Sequence, residues 1–439
     1  MRMGKTGIFE IEVLDEKGYG IIKYGDRVIR VAYTLPGEKV KIRIPKSKKK
    51  PTIPLNIIEE SEDRTIPLCP YFSICGGCQW QHIKYDKQLE FKQRKVINQF
   101  GRLKGDIEIR NIIKAEKIWR YRNKMEFAFG KGKFGVVLGL KMIGRFDRVV
   151  DLNTCLVQKE EGDEILKMVK NFARRSELEP YDNVKHEGFL RFLVVRMGHN
   201  TSETMANIVT TSERVLKIEK LKEEMNITSL IWSVSDALAD VAVGEIKKVL
   251  GKEFITEKLM DKIFKIYPYS FFQTNPRQAE KIFQLMKQYT EEGKIAIDLY
   301  TGVGVIAILM ADKFDKIIGI EINEEAVKAA EENARMNNID NAEFIAGKVE
   351  DILPQMNLDH VDTLYVDPPR AGMHRKAIEA VNKLMPNTII YLSCNPKTQA
   401  RDVAMIRKAG YVIEVIQPID FFPHTAHVEN LVVLKKKKN

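Results

Sequence analysis

The feature that most constrains the fold is the regular alternation of apolar strand patterns and helical patterns after about residue 275. Buried strands that alternate with helices predict a parallel, doubly wound α/β sheet, because each crossover helix returns the chain to the same edge of the sheet. In such a sheet ligands bind at the carboxyl ends of the strands. The predicted strands are 295–300, 316–322, 342–347, 361–367, 388–394, 411–420 and 430–436.

A glycine turn follows the first of these strands, in the stretch DLYTGVGVIAILMA at 298–311. Gly302 and Gly304 allow a tight turn and a close approach of the backbone to a ligand where a helix starts. Glu321 ends the second strand, where an acid can accept hydrogen bonds from ribose hydroxyls. This order of elements predicts a nucleotide site, for which NAD and S-adenosylmethionine are both candidates.

The stretch VDPPR at 366–370 favours S-adenosylmethionine. Asp367 and the two prolines after it predict a rigid, open loop at the end of a strand, beside the cofactor. Asp-Pro-Pro loops that continue with an aromatic residue mark methyltransferases that act on amino groups of nucleobases. Arg370 stands in the aromatic position, so methyl transfer to an exocyclic nitrogen loses support. An NAD-linked redox enzyme is an alternative that this loop opposes.

Cys394 ends the strand in the stretch IIYLSCNP at 389–396, at the same edge of the sheet as Asp367. A lone cysteine on an apolar strand is usually a structural residue. Its place at the exit of the strand, before a forced turn, favours a nucleophile instead. A thiolate that adds to C6 of a pyrimidine makes C5 able to attack an activated methyl group. A base must then remove the proton from C5.

Glu429 is the preferred candidate for that base. It stands just before the last predicted strand, in the stretch FFPHTAHVENLVVLKK at 421–436. In methyltransferase sheets the last strand runs antiparallel beside the strand that would carry Cys394, which brings Glu429 to the thiol. His424 and His427 lie in the same stretch and are the alternative bases.

Together these motifs closely resemble the RNA uridine-5-methyltransferase family. The resemblance implies a Rossmann-like class I methyltransferase domain with Cys394 as the nucleophile and Glu429 as the proton acceptor. The matching stretches are FFQTNPRQAE at 271–280, DLYTGVGV, IEIN, DPPRAG, LSCNP and HVEN. The residues implied to bind S-adenosylmethionine are Gln273, Tyr300, Glu321 and Asp367.

The first 60 residues have the pattern of a small β-barrel. Phe9, Ile11 and Val13 alternate, and further short strands follow between Gly- and Pro-containing turns. The unit resembles a TRAM domain, which is an RNA-binding barrel of the OB type. The lysine runs at 46–50 and 435–438 and the net charge of +11 favour a nucleic-acid partner.

Four further cysteines lie upstream, at spacings that suit metal ligands: Cys69, Cys75, Cys78 and Cys155. Four thiolates hold zinc or an iron–sulfur cluster, and unligated core cysteines are the third alternative. The spacing resembles that of a [4Fe–4S] site in the same family, which implies a closed cluster. Such a cluster has no evident place in methyl transfer, so we expect it to fix the fold of the central domain and to help shape the RNA groove.

Aromatic and basic residues outside the motifs are candidates for RNA contacts. A target uridine must be flipped out or presented in a loop, where an aromatic side chain can stack on it. The candidates for stacking are Phe271, Phe272 and Phe421, two of which we expect in the core. The candidates for phosphate contacts are Arg122, Lys124 and Arg191.

We predict three domains: a TRAM-like barrel at 1–60, a central α+β iron–sulfur and RNA-binding domain at 61–265, and a methyltransferase domain at 266–439. The implied reaction is S-adenosylmethionine-dependent methylation of C5 of a uridine in RNA. Ribosomal 23S RNA is the preferred substrate and uridine 54 of transfer RNA the alternative. A non-catalytic RNA-binding iron–sulfur protein is the alternative of another class. The sequence has neither an apolar membrane span nor a signal core, so we expect a cytoplasmic monomer.

Overall fold

The computed structural model describes residues 5–45, 51–103 and 107–437. The lysine run at 46–50 lies outside the described residues. Within the described ranges, no helix combines the length and the apolar character that a membrane span requires.

The N-terminal unit consists of two three-stranded antiparallel sheets around a small apolar core. Its strands are β1 (Thr6–Glu10), β2 (Val13–Leu14), β3 (Gly20–Tyr24), β4 (Arg27–Val31), β5 (Lys39–Arg43) and β6 (Asn56–Glu59). The sheet orders are β1-β5-β6 and β2-β3-β4, and Thr52, in the segment between β5 and β6, makes backbone hydrogen bonds with Arg30 and Ala32 at the end of β4. Val40 and Ile42 of β5 face inward, whereas the two lysines and the arginine that alternate with them along the strand are exposed. This alternation closes the core on one face and leaves a basic surface on the other.

The central region follows the helix α1 (Tyr85–Phe100) and contains a seven-stranded sheet. Its elements are β7 (Lys124–Gly132), β8 (Gly135–Lys141), β9 (Val149–Asp151), α2 (Glu160–Arg175), β10 (Leu190–Met197), β11 (Thr204–Thr210), α3 (Glu219–Glu224), β12 (Ser229–Val234) and β13 (Glu245–Gly251). The strand order is β13-β12-β11-β10-β7-β8-β9, antiparallel except between β11 and β12. Helix α2 covers one face, with acids in its first turn and arginines in its last, as the helix dipole favours.

The C-terminal domain is the doubly wound sheet that the sequence predicts. A hairpin of β14 (Ile255–Leu259) and β15 (Lys262–Ile266) and the helix α4 (Pro276–Gln288) lead into it. The other elements are β16 (Gly293–Leu299), α5 (Val305–Met310), β17 (Phe314–Glu321), α6 (Glu324–Met336), β18 (Ala342–Ala346), α7 (Val349–Ile352), β19 (Thr363–Val366), α8 (Arg375–Leu384), β20 (Thr388–Ser393), α9 (Pro396–Arg407), β21 (Tyr411–Ile419) and β22 (Glu429–Lys436). All seven predicted strands occur within two residues of their predicted bounds.

The order of the C-terminal sheet is β18-β17-β16-β19-β20-β22-β21. Its first five strands are parallel, and β22 runs antiparallel between β20 and β21. The position of this strand is the one expected for a methyltransferase sheet. The predicted α/β fold class is therefore confirmed, including the reversed last strand.

Helix α1 packs against the C-terminal domain, although the sequence division at 265 assigns it to the central region. Lys92 is fully buried, and its Nζ lies 2.5 Å from Asp420 Oδ1 and donates to the carbonyl of Phe422 at 3.0 Å. The segment after the helix pairs with β21 through Ile109 and Ile113. The domain boundaries stay a prediction, but the packing shows that part of the 61–265 segment completes the C-terminal sheet.

The buried ion pair provides a test of this docking. We expect Asp420→Ala to lower the free energy of unfolding by about 3–5 kcal/mol, because the ammonium group of Lys92 would stay buried without its partner. Urea denaturation would measure the change. The matched control is Glu343→Ala, which removes an ion pair to Lys316 whose two side chains are about half exposed and should cost less than about 1 kcal/mol. Equal losses in the two variants would contradict the assigned role.

Candidate active site

The carboxyl ends of four parallel strands bring the predicted residues to one edge of the C-terminal sheet. Tyr300 follows β16, Glu321 ends β17, Asp367 follows β19 and Cys394 follows β20. Because these strands are neighbours in the parallel part of the sheet, their ends form one continuous rim. The residues therefore meet in space although they are spread over almost 100 positions of the chain.

The glycine turn has the open geometry that a nucleotide requires. Gly302 and Gly304 have φ angles of 57° and 83°, in the left-handed region that favours glycine. A Cβ atom on Gly304 would lie 3.0 Å from the Cβ atom of Ala330, whereas the space next to Gly302 is free to 4 Å. The Gly302 N–H donates to Glu321 Oε2 at 3.1 Å and the Asn323 N–H to Oε1 at 2.9 Å. These bonds hold the carboxylate of Glu321 at the rim of the open turn.

Asp298 is a residue of this rim that the sequence analysis did not select. It is fully buried in β16; the hydroxyl of Thr301 donates to its Oδ2, as does the Ala307 N–H at 3.2 Å. Its Oδ1 has no hydrogen-bond partner among the described residues. Burial raises the pKa of Asp298 to about 7, and the charges of Asp367 and Glu321 add to the shift. The signal in the sequence was an acid within an otherwise apolar strand.

The register between β20 and β22 brings Cys394 and Glu429 together. The last pair of the ladder is Ser393 with Asn430, so one further step of the antiparallel register places Cys394 opposite Glu429. Burial raises the pKa of the Cys394 thiol to about 11, and the charge of Glu429 adds to this effect. Burial likewise raises the pKa of Glu429 to about 8, with a further contribution from Asp367.

Arg370 places a positive charge at this site. Its backbone carbonyl accepts from Asn395 Nδ2 at 2.9 Å and from Thr398 Oγ1 at 3.2 Å, so the DPPR loop is tied to the loop that carries the cysteine. The guanidinium group is exposed, and its charge opposes the upward pKa shifts of both Cys394 and Glu429. Its place in the motif therefore supplies a positive charge next to the thiol, where an aromatic residue would supply none.

The two histidines are placed less well than Glu429 to serve as the base. His424 is buried, stacks on Trp119 at 3.8 Å between ring centroids, and has Nδ1 3.4 Å from Gln88 Nε2. His427 is exposed and makes an edge contact with Phe422. Neither stands opposite Cys394 in the strand register, which supports the choice of Glu429.

Gln273 lies three residues before α4, and its carbonyl accepts from Asn123 Nδ2 at 3.2 Å. The central sheet thus anchors the segment that precedes the helix. The roles of Gln273, Tyr300, Glu321 and Asp367 in cofactor binding stay predictions.

The four upstream cysteines line one cavity of about 390 Å³: Cys69, Cys75, Cys78 and Cys155. Burial raises the pKa of Cys75 to about 11 and of Cys78 to about 12, and the neighbouring thiols add to both shifts. Among the described residues, no group of three or more histidine, cysteine or acidic side chains is arranged to hold a single metal ion. The structure therefore groups the four thiols around a space and gives no direct support for a bound metal.

The same cavity is lined by Arg122, Lys124 and Phe271, three of the predicted RNA contacts. Phe271 is 69% exposed, whereas Phe272 and Phe421 are buried, as expected for two of the three aromatic candidates. The cysteines therefore share one cavity with two basic side chains and with the aromatic ring of Phe271, which lies two residues before Gln273.

The prediction that Arg191 contacts a phosphate of the RNA is wrong. Arg191 is 3% exposed, and its guanidinium group donates to the carbonyls of Ser235 at 2.7 Å and Ala239 at 2.9 Å. A phosphate cannot reach it in this arrangement. The sequence pattern of β10 does not reveal this, because an arginine in a strand looks the same whether it faces solvent or closes a loop from within.

Comparison with known proteins decides the family. Residues 238–437 match the family described as tRNA (Uracil-5-)-methyltransferase, and residues 8–62 match the TRAM domain of tRNA (uracil(54)-C(5))-methyltransferase. A protein of Clostridium tetani named as an uncharacterized RNA methyltransferase is 38% identical, over 100% of this chain and 99% of its own. Another of Nanoarchaeum equitans is also 38% identical, over 98% of this chain and 93% of its own. The chain belongs to the RNA uracil-5-methyltransferase family.

A solved structure agrees along the whole chain. The tRNA (uracil-54, C5)-methyltransferase of Pyrococcus abyssi, in complex with S-adenosyl-L-homocysteine, is 33% identical and covers 98% of this chain and 100% of its own, with a TM-score of 0.82. The predictions of an S-adenosylmethionine-dependent RNA uracil-C5-methyltransferase with an N-terminal TRAM domain are thereby confirmed.

The coupling between Cys394 and Glu429 predicts a pH-dependent change in thiol reactivity. Above about pH 8 the carboxyl group of Glu429 is ionised and holds the thiol in its neutral form. We therefore expect Glu429→Gln to speed the alkylation of Cys394 by iodoacetamide severalfold at about pH 9, and to change it little at about pH 6.5, where both side chains are neutral. Peptide mass spectrometry would measure the rate at this cysteine.

The control for this experiment is Glu343→Gln, which removes an exposed carboxylate at the far edge of the sheet. It should leave the alkylation rate of Cys394 unchanged at both pH values. A Glu429→Gln protein that reacts like the wild type at about pH 9 would show that the two side chains are not neighbours.

Proposed function

We propose that this protein methylates C5 of uridine 54 in transfer RNA, with Cys394 as the nucleophile and Glu429 as the base. The observation that carries the proposal is the antiparallel register that sets Glu429 opposite Cys394 at the rim of the sheet. Covalent activation of a pyrimidine needs a nucleophile and a proton acceptor on one face of a ring, and this pair supplies both.

The thiol of Cys394 first loses its proton to solvent. The resulting thiolate forms a bond to C6 of the uracil, and the electrons of the C5–C6 double bond move toward O4 to give an enolate. C5 then attacks the methyl carbon of the methyl donor, and the bond between that carbon and the sulfur of the donor breaks. Glu429 takes the proton from C5, the C5–C6 double bond forms again, and the bond between the cysteine sulfur and C6 breaks to release the thiolate.

Arg370 and Glu429 adjust the charge of the thiol during this sequence. In the free enzyme the thiol is protonated near neutral pH, because its pKa is about 11. The guanidinium charge of Arg370 favours the thiolate, and Glu429, whose pKa is about 8, opposes it only when ionised. A group that titrates this close to neutral pH is suited to take up a proton and to lose it again in each turnover.

The cofactor would supply an electrophilic methyl group, and the rim fits a cation. Three carboxyl groups lie along it, on Asp298, Glu321 and Asp367, and Asp298 has a buried oxygen with no hydrogen-bond partner among the described residues. Burial raises the pKa of Asp367 to about 7. Glu321 and Asp367, with Gln273 and Tyr300, are the proposed binding residues.

Transfer RNA is favoured over 23S ribosomal RNA as the substrate. The sequence-based preference for ribosomal RNA rested on the barrel and the cysteine motif. The Pyrococcus abyssi enzyme acts on uracil 54 of tRNA and covers 98% of this chain, and the N-terminal domain matches the TRAM domain of the same kind of enzyme. A barrel of this type therefore does not point to ribosomal RNA.

The exposed ring of Phe271 is the proposed platform for the flipped-out uridine, since it lies two residues before Gln273 and is free to stack. Arg122 and Lys124 line the cavity next to it, where their charges would hold the backbone of the RNA. These three side chains form the proposed entrance to the active site.

The four upstream cysteines are proposed to hold a [4Fe–4S] cluster. The four cysteines line one cavity, which is what a cluster held by four thiolates requires. Since Phe271, Arg122 and Lys124 line the same cavity, a cluster there would fix the shape of the RNA entrance. We assign it this structural role.

The substrate can be tested directly. We expect the purified protein with S-adenosylmethionine to form 5-methyluridine at position 54 of an unmodified tRNA transcript and none in a 23S rRNA transcript, as mapped by mass spectrometry of nuclease digests. Cys394→Ala should abolish the product. Modification of the ribosomal transcript alone would overturn the choice of RNA, and an active Cys394→Ala protein would overturn the mechanism.

The role of Glu429 can be tested in the same assay. Glu429→Gln should still methylate C5 of the uracil, but the bond between Cys394 and C6 should break slowly, since the C5 proton has no acceptor. A covalent protein–RNA band should therefore accumulate on a denaturing gel. Glu343→Gln should turn over normally and show no such band.

The cluster is tested by metal content. Cys155→Ser should lose most of the iron and sulfide found in the anaerobically purified wild type, because one thiolate ligand is removed. Cys394→Ser is the matched control and should keep both in full, since this cysteine lies at the other site. Absence of iron and sulfide from the wild type would refute the cluster itself.

A further inference from the structure

A second cavity lies where the N-terminal unit, the cysteine loop and the outer face of the central sheet meet. Its volume is about 460 Å³, which is within the usual range for small-molecule sites. Side chains from all three parts line it, among them Tyr19, Gln79, Glu126, Lys141, Phe192 and Asp240. Nothing in the proposed reaction uses this space.

The second cavity adjoins the entrance to the active site. It shares Gly77, Glu126 and Leu140 with the cavity that contains the cysteines and Phe271. The N–H of Gln79 also donates to the carbonyl of His424 at 3.0 Å, in the segment that leads to Glu429. The two cavities are therefore adjacent, and the second lies close to the proposed RNA entrance.

Tyr19 supplies an aromatic ring at the barrel side of this cavity. Its N–H donates to Asp15 Oδ1 at 3.0 Å, and its carbonyl accepts from the Asp15 N–H at 2.8 Å. Arg30 Nε donates to the other oxygen of the same carboxylate at 2.8 Å. These bonds close the turn and hold the backbone of the tyrosine, so that the turn need not be ordered when a base stacks on the ring.

Gln79 supplies the hydrogen-bonding pattern. Its Oε1 is buried without a donor among the described residues, an omission that proteins normally avoid. A glutamine amide carries an acceptor and a donor side by side, which matches the exocyclic amine and ring nitrogen of adenine. The charges of Lys141 and Asp240 are paired with each other at 3.3 Å. The lining thus has no excess positive charge that would favour a phosphate.

We propose that this cavity binds an adenine base of the RNA substrate, stacked on Tyr19 and read by Gln79, at a nucleotide near the target uridine. The inference rests on the proposed function, because it takes the same RNA as substrate. It adds a second point of base recognition that belongs to the N-terminal unit and the cysteine loop together. The methyltransferase domain alone would lack it.

The test measures binding of tRNA assembled by ligation, with one nucleotide near the target changed at a time. We expect Tyr19→Ala to weaken binding of the unmodified tRNA about tenfold, whereas Tyr19→Phe, which keeps the ring, stays within about twofold of the wild type. An abasic nucleotide at one adenosine position should weaken the wild type to the same extent and weaken Tyr19→Ala no further. Tyr24→Ala is the matched control, since this ring lies on the same barrel against Phe9 and outside the cavity.

Gln79 is tested with purine riboside, which lacks the exocyclic amine of adenosine. At the same position this analogue should weaken wild-type binding severalfold and leave Gln79→Met unaffected. Equal affinity of Tyr19→Ala and the wild type, or abasic losses of the same size in both at every position, would overturn the proposal. Iron and sulfide content is measured for Gln79→Met, because Cys78 is its neighbour.

The same preparations separate this inference from the proposed function. Covalent capture of Cys394 by tRNA that carries 5-fluorouridine at the target reports the reaction, whereas the abasic scan reports the cavity. If the covalent adduct of Cys394 forms but no abasic position shows a binding loss that depends on Tyr19, the inference is wrong and the proposed function stands. If an adenosine shows such a loss but the tRNA never forms the covalent adduct, the proposed function is wrong and the binding cavity stands.

Discussion

The site depends on the insertion of β22 as an antiparallel strand between β20 and β21. Six of its eight residues are buried, and it is hydrogen-bonded on both sides. A slip by one residue would turn every apolar side chain of the strand to the opposite face, so the register is strongly determined by burial. That register places Glu429, the first residue of β22, opposite the end of β20, where Cys394 follows. A core-packing requirement thus sets the geometry of the reactive pair.

The rim built around this strand is rich in buried acids. Burial raises the pKa values of Asp298, Asp367 and Glu429 to about 7, 7 and 8, and Arg370 is the neighbouring cation that opposes the shift of Glu429. A cluster of carboxyl groups with so little compensation is costly in an empty protein and favourable around a cationic ligand. Burial, with smaller contributions from the charges of Glu429 and Asp367, raises the pKa of the Cys394 thiol to about 11, so the thiol is protonated near neutral pH.

The N-terminal and central regions are attached to this rim by direct contacts. The N–H groups of Gln79 and Trp80 both donate to the carbonyl of His424, in the segment that joins β21 to β22. Lys92 is paired with Asp420 in the same segment. The cysteine loop, helix α1 and the segment before Glu429 therefore form one packed unit. Any group bound at the cysteines would act on the shape of the RNA entrance and on the active site through the same contacts.

Much of the C-terminal domain was determined by the sequence. Seven apolar strands, a glycine turn, the acid at Glu321, the DPPR loop and a cysteine at a strand exit follow from local patterns, because strand and turn preferences act over a few residues. The tertiary structure alone decided which charged side chains face inward. Arg191 is buried against loop carbonyls, one oxygen of Asp298 has no hydrogen-bond partner in the described part of the chain, and α1 packs against the C-terminal domain. These outcomes depend on contacts between residues far apart in the chain, and an isolated stretch of sequence carries no record of them.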